Sequence, residues 1–596
     1  MELTILLVLL LATLISSPLG RGLGERGAAL ASTGLGALAA VLAWGVFVGT
    51  LGEGYEARTV FVAAWIESGT LASEIAFEVS RASAAIMVIA LSLSTAAQFY
   101  AIALKTPKKL LKVGDSRAMR MTSSASLLAL SLVVVALSAG TLLLSAGLII
   151  FAVAAALALD FNVRSVGAGR AAARGLLIGL CGALLCLLAA GFLFAAADAV
   201  SFEVLAPLAE SVPAAPMTLA FGLAGLALAA SLPFLPWTRK ASEVPGALAA
   251  LLSICAGLVA VTVLLRAQPF LETAPLLLEG LLIATAVLAP LTAFAQQSGR
   301  ASLAASALAP VALAAFCALN GDGTSALILL AGQGISLLLL GAALDRLTDR
   351  AGEEGTAAQT RGAQVAAIAG AASATGFGVP VLLGPLALML PGYLGQAGVL
   401  GTAGALYWPM VATLALHSFA IWVLYLNAFH GHGKKKSDEN WPEADSLTNR
   451  VANGILLAAL LSLGIGVGTM IGTPAEGSLP GAPLVAGLAG LVLAVLSRLV
   501  PVTGAAALRP IFEGPLFLQD IYRLGLEAPL RALGRLIADR LDTSLLELIF
   551  EPLSARLLPG LSRRTAQLGA SRAAPWAVGV IVAAALLLTL VTLAGG

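Results

Sequence analysis

Runs of about 18 to 25 apolar residues, each closed by a short polar loop, recur along the whole chain, and each is long enough to cross a bilayer as a helix. The pattern predicts about sixteen spans. They lie near residues 3–20, 27–50, 82–104, 121–138, 141–160, 173–197, 217–237, 244–265, 274–295, 302–319, 324–344, 363–390, 405–428, 452–472, 480–499 and 573–594. The fourth and fifth nearly fuse, with a boundary near Gly140. The first could be read as a signal peptide, but Glu2 stands where a basic region belongs, so it is kept as a span. Leu51 to Arg81 is too polar to cross and predicts an external loop or short surface hairpin. Two spans are interrupted by paired prolines: Pro233 and Pro236 in 217–237, Pro380 and Pro385 in 363–390. Proline removes a backbone donor, and in lipid the freed groups must be satisfied by protein or a hydrated cavity. Such breaks at corresponding places in two halves are a mark of transport folds.

A different periodicity governs the C-terminal region. Leu526, Leu530, Leu533, Ile537, Leu541 and Leu545 recur at spacings of three and four, while Arg531, Arg535, Asp539 and Asp542 fall on other faces. This predicts an amphipathic helix lying along a membrane surface or neighbouring subunits, closed near Pro552 or Pro559, before a last span begins at Trp576. The implied organisation is residues 1–120 as N-terminal helices with the external loop, 121–265 and 266–428 as two repeats, 429–507 as two further spans, 508–572 as the lateral helix and 573–596 as the last span.

Composition agrees with an all-α, polytopic membrane protein: 59% of residues are hydrophobic and only 11% charged, against about a quarter charged in soluble domains. The net charge of +2 gives no reason to expect a nucleic-acid partner. Cys181, Cys186, Cys255 and Cys317 sit singly in apolar runs and read as packing residues. Charge alternates between successive loops. Arg21, Arg26, Lys105 to Arg120, Arg164 to Arg174, Arg239, Lys240, Arg300, the 345–361 loop and Lys434 to Lys436 fall on one side. Glu53, Glu56, Glu67, Glu74, Glu78, Glu203, Glu210, Glu272 and Asp322 fall on the other. The positive-inside rule puts the first set in the cytoplasm and both termini outside, with Arg58, Arg81 and Arg266 as exceptions.

The first broken helix reads LPFLPWTRKASEVPGALAALL from Leu232 to Leu252, with Pro233, Trp237, Pro245, Ala250 and Leu251 at telling places. It resembles the signature of the antiporter-like membrane subunits of respiratory complex I and of Mrp-type cation/proton antiporters. Gln297 to Ser306, with Arg300 in place of a lysine, Gly378, Pro380 and Gly384 at the second break, and Phe429-His430-Gly431 extend the likeness. FLQDIYR from Phe517 to Arg523, then Gln567, Gly569 and Arg572, are similar to the L-type subunit of bacterial NADH:quinone oxidoreductase, which carries a lateral helix. The resemblance implies two inverted five-helix repeats, a place in the bacterial inner membrane, neighbouring membrane subunits and lipids as partners, and no cofactor of its own.

It also implies a polar relay at mid-membrane, and here the sequence departs from the pattern. Gly147 and Leu148 stand where the family has a tryptophan-glutamate pair, and Leu228 where it has a lysine before the first break. Ser253 replaces a histidine, Ala331 and Ile335 replace a histidine and a lysine, and Leu388 replaces the lysine after the second break. Arg300 stays basic but is a poor shuttle, because a guanidinium keeps its proton. His417, Asp160, Asp198 and Glu279 are the other candidates for a residual ion path. The expected function is a membrane-arm subunit of a complex I-related energy-coupling complex, structural, with proton translocation lost or reduced. The alternatives are an active subunit using a reduced polar path, or a membrane subunit of a bicarbonate-uptake or hydrogenase complex.

Overall fold

The computed structural model describes residues 1–17, 23–103 except 53 and 70, 117–162, 166–234 except 212 and 213, 244–271, 276–351 except 297, 402–430 and 489–497, with 528, 529 and 532. Pro236, Trp237, Pro380, Pro385, Leu388, the last span and, apart from 528, 529 and 532, the lateral helix lie outside the described residues. Helices α1 (Glu2–Ile15) and α2 (Gly24–Gly49) precede a hairpin of β1 (Arg58–Ser68) and β2 (Leu71–Val79). Then come α3 (Arg81–Ala103), α4 (Arg117–Leu137), α5 (Thr141–Leu159), α6 (Val166–Ala197), the short α7 (Phe202–Leu205), α8 (Ala214–Leu228) and α9 (Gly246–Ala267). They are followed by α10 (Leu276–Ala295), α11 (Gly299–Ser306), α12 (Leu308–Leu319), α13 (Gly323–Ala351) and α14 (Thr402–His430). Among the described residues nine segments are long and apolar enough to cross a membrane, and three shorter apolar helices accompany them. The short ones fall in α1, α8 and α14, where the hydropathy pattern predicts spans.

The polar stretch after α2 forms the surface hairpin, so the described chain is helical apart from this antiparallel pair. Its turn uses Gly69 at φ +62°, a conformation open to glycine without a Cβ clash. The hairpin is fastened to the helix ends beneath it. Ala139 N donates to Ala76 O at 3.1 Å, Thr141 N to Val200 O at 2.9 Å and Phe202 N to Ala139 O at 3.0 Å. The α4–α5 boundary is therefore an extended link, residues 138–140, stitched between β2 and the start of α7. Gly140 lets the two segments approach closely, since a Cβ would lie 3.2 Å from Val200 O.

The three arginines that break the charge alternation are all held on this face. Arg58 pairs with Glu2, Arg81 Nε donates to Thr50 O at the end of α2 at 3.3 Å, and Arg266 pairs with Glu78 of β2. Arg266 also donates to Ala136 O at 3.3 Å and lies 5.8 Å from the Phe202 ring centroid. One guanidinium at the end of α9 thus joins the hairpin, the last turn of α4 and α7. A cation at the C-terminal carbonyls of a helix is also favoured by the helix dipole.

The core is a large continuous apolar cluster, with a small second one of Ala293, Ala305 and Ala420, and α9 is the central rod of the first, its residues from Gly246 to Leu264 all buried. Small residues set the close approaches. A Cβ on Gly334 would come within 2.6 Å of Leu93, and one on Gly257 within 2.9 Å of Leu330. In lipid, where burying hydrocarbon gains little, such close packing between backbones is a main source of helix association.

Candidate functional site at the broken helix

The first break departs from its sequence expectation. Helix α8 ends at Leu228, ahead of Pro233, and ends by a backbone motif. Ala230 is left-handed at φ +48°, Ser231 N donates to Leu226 O at 2.9 Å, and Ala230 N donates to Ala227 O at 3.2 Å. These are the paired bonds of a Schellman cap, here with alanine where glycine is usual. The next freed donor, Leu232 N, reaches Thr285 Oγ1 of α10 at 2.8 Å, and that hydroxyl donates to Leu281 O at 2.7 Å. Thr285 sits midway along α10, so the break lies deep in the bundle and a protein hydroxyl satisfies it, as lipid surroundings demand.

Pro245 stands at the N-cap of α9 and offers no capping side chain. Asp345 of α13 supplies the cap from across the bundle: Oδ1 accepts from Gly246 N at 2.6 Å and Oδ2 from Ala247 N at 3.1 Å. Arg300 in the first turn of α11 donates through Nε to the same carboxylate at 3.0 Å. The Asp345 side chain is 2% exposed and that of Arg300 21%. A buried carboxylate is thus balanced by a guanidinium and by the positive end of a helix. Close backbone approach makes this reach available. A Cβ on Gly246 would lie 2.7 Å from Gly341 O, and one on Gly341 2.5 Å from Gly246 O. Tyr100 of α3 adds a hydroxyl bond to Ala342 O.

Arg300 therefore works as the partner of a fixed carboxylate at the foot of α9. The other sequence candidates are dispersed. Asp160 follows α5 and Asp198 follows α6, at opposite ends of the bundle. Burial raises the Asp160 carboxyl above its ordinary value, and the Arg120 guanidinium opposes that rise. Glu279 is buried in the first turn of α10, where the Asn320 side chain meets it. His417 is 1% exposed within α14, and neither ring nitrogen has a hydrogen-bond partner among the described residues. Its helix packs on α10 through Phe419 and Phe294, whose ring centroids are 5.2 Å apart.

The positions at which the sequence lacks a relay are filled by hydrocarbon. Leu148 is fully buried, and Leu228, Ala331 and Ile335 are at most 3% exposed, all in the same core cluster. A Cβ on Gly147 would lie 2.9 Å from Val135 Cγ2 and 3.3 Å from Val135 N, so any side chain there would press on the end of α4. Leu228 covers Gly182, where an added Cβ would be 3.0 Å from Leu228 Cγ. Ser253 turns its hydroxyl onto Ala249 O at 2.9 Å.

Asp345 and Thr285 were not legible as functional positions. Asp345 follows a long apolar run and precedes a charged loop, so it reads as a loop residue. Thr285 is one hydroxyl in a span, and only the broken strand of chain opposite it gives it a task.

No protein-family model matches the chain, and no curated protein matches it. Solved structures do. A chain in the structure of the Mrp complex from Dietzia sp. DQ12-45-1b superposes with TM-score 0.66 at 17% identity, over 94% of this chain and 63% of that one. The present chain thus spans less than two thirds of that relative's length. A chain of the membrane-bound sulfane sulfur reductase, an archaeal respiratory membrane complex, superposes with TM-score 0.62 at 15% identity, over 82% of this chain and 99% of that one. At these identities the likeness is one of fold alone.

Proposed function

We propose that this chain is an antiporter-like membrane-arm subunit of a complex I-related energy-coupling assembly, and that it serves as a scaffold with proton translocation lost or reduced. One observation carries the reading: Leu148, Leu228, Ala331 and Ile335, which stand where the resemblance implies titratable groups or their neighbours, are each at most 3% exposed. A relay through hydrocarbon requires groups that exchange protons within reach of one another, and each isolated charge at the bilayer centre costs at least about 2.5 kcal/mol. A subunit relieved of pumping gains by shedding them. In this reading residues 121–265 and 266–428 are the inverted repeats, the inner bacterial membrane is the setting, both termini face outward, and the lateral helix braces neighbouring subunits. The solved relatives, an Mrp complex and a respiratory membrane complex, are multi-subunit assemblies, which supports hetero-oligomeric partners.

The test uses the native complex, purified with its partners and placed in liposomes. His417→Phe keeps a ring of similar bulk and removes both nitrogens. Unchanged ion transport per turnover supports the scaffold, and reduced transport with intact assembly refutes it. Arg300→Ala is a poor probe of conduction, because it also strips the partner from Asp345. The second reading, a reduced conducting path, is favoured by His417 itself, a buried imidazole whose nitrogens find no partner among the described residues.

A further inference from the structure

Away from the break, the helices α2, α3 and α4 share a buried polar seam. Ser94 Oγ donates to Ala125 O at 2.9 Å, and Gln98 Nε2 reaches Ser94 Oγ at 3.3 Å and Ser126 Oγ at 3.1 Å. Ser126 Oγ in turn lies 3.2 Å from Ser32 Oγ of α2. Every member is deeply buried: Ser32 is fully enclosed, Ser126 and Gln98 are 1% exposed, Ser94 is 2% and Thr95 is 9%. Two oxygens of this seam, Gln98 Oε1 and Thr95 Oγ1, have no hydrogen-bond partner among the described residues. Both converge on the bare backbone of Gly36 in α2. A Cβ built there would lie 3.4 Å from Gln98 Oε1, 3.5 Å from Thr95 Oγ1 and 3.6 Å from Gln98 Nε2.

We propose that Gly36, Thr95 and Gln98 form the binding site of one internal water molecule, which closes the polar seam between α2 and α3. The chemistry of the two orphans selects the ligand. Gln98 Oε1 only accepts, whereas the Thr95 hydroxyl must also give its hydrogen to an acceptor. A water molecule donates to the first and accepts from the second. A monovalent cation would serve both oxygens but leave the hydroxyl hydrogen unplaced, and the seam holds no carboxylate to balance its charge. Buried waters typically bind polar groups otherwise unsatisfied, and the site has the polar partners one needs. Turning the Gln98 amide over exchanges which end is orphaned and leaves the same need. The residue that makes room is glycine, in a helix interior where alanine would be favoured by propensity.

Gly36→Ala and Thr95→Val test this in the intact complex, with thermal stability as the readout. The added methyl meets its neighbours at ordinary contact distances, so in a dry seam Gly36→Ala raises the melting temperature through helix propensity. Thr95→Val likewise raises it in a dry seam, by removing an unsatisfied hydroxyl. With a bound water both variants lower it by a few degrees, because each expels the water or removes its partner and strands the remaining oxygen. Lowering by both supports the site, and no change or a rise in either overturns it. If a variant fails to assemble, a density map of the unmodified complex that resolves other buried waters decides. A peak about 2.7–3.2 Å from both side chains supports the proposal, and its absence overturns it.

Discussion

Removing the Asp345 carboxylate should uncouple the two halves of the broken-helix region. It accepts from Gly246 N at 2.6 Å, Ala247 N at 3.1 Å and Arg300 Nε at 3.0 Å. Loss of a helix cap costs about 0.5–2 kcal/mol, and breaking a buried ion pair about 3–5 kcal/mol. The Arg300 side chain is 21% exposed and can regain solvent, which places the total toward the lower end. Asp345→Ala is therefore expected to destabilise by about 3 kcal/mol. Arg300→Ala should cost less, about 2 kcal/mol, since the carboxylate keeps both helix N–H donors. The double variant should cost little more than Asp345→Ala alone, because both substitutions remove the same interaction. Asp345→Asn, which keeps one acceptor oxygen, should fall between wild type and Asp345→Ala. Unfolding of the full-length protein in mixed detergent and denaturant micelles, followed by tryptophan fluorescence, gives all four values. An Asp345→Ala loss below about 0.5 kcal/mol, the range of neutral surface changes, would refute the reasoning, as would strict additivity of the two single variants.

Three further outcomes follow from the same contacts. Thr285→Val strands Leu232 N at the break and should cost about 1–3 kcal/mol, with Thr285→Ser restoring most of it in the same unfolding assay. Arg266→Met removes the partner of Glu78 and should loosen the hairpin from the bundle, seen as faster amide exchange across residues 58–79 while α9 keeps its protection. Asp160→Asn should stabilise at neutral pH. Burial raises the folded-state pKa of Asp160, so the carboxylate costs stability as pH rises past its unfolded value of about 3.9, and the gain should vanish in more acidic buffer. A gain that persists at low pH would point to packing instead.

Much of the architecture was legible in the order of residues. Hydrocarbon thickness fixes how long an apolar run must be, so the spans from 27–50 through 324–344 fall close to the observed helices, apart from the broken one. The hairpin was legible because a polar, β-rich stretch between two spans has nowhere to go but the surface. The apolar identities of Leu148, Leu228, Ala331 and Ile335 were legible too, but not how deeply they are packed. What sequence could not supply were meetings between distant residues. Pro233 suggested where α8 should break, yet the chain stops five residues earlier, because Ala230 and Ser231 close a Schellman cap and Thr285 receives Leu232 N. Arg58, Arg81 and Arg266 looked misplaced by charge counting. Their partners Glu2, Thr50 and Glu78 are supplied by packing.

Sequence alone thus determined that the chain is a multi-pass helical membrane protein with a broken helix and few charges at depth, because partitioning into lipid depends on local composition and length. Only the tertiary structure decided that Arg300 pairs with Asp345, that Leu148, Leu228, Ala331 and Ile335 are buried in the core, and that two oxygens meet above Gly36. Hydrogen bonds and ion pairs depend on distances of a few ångströms between residues separated by tens to hundreds of positions, and those distances exist only once the helices have packed.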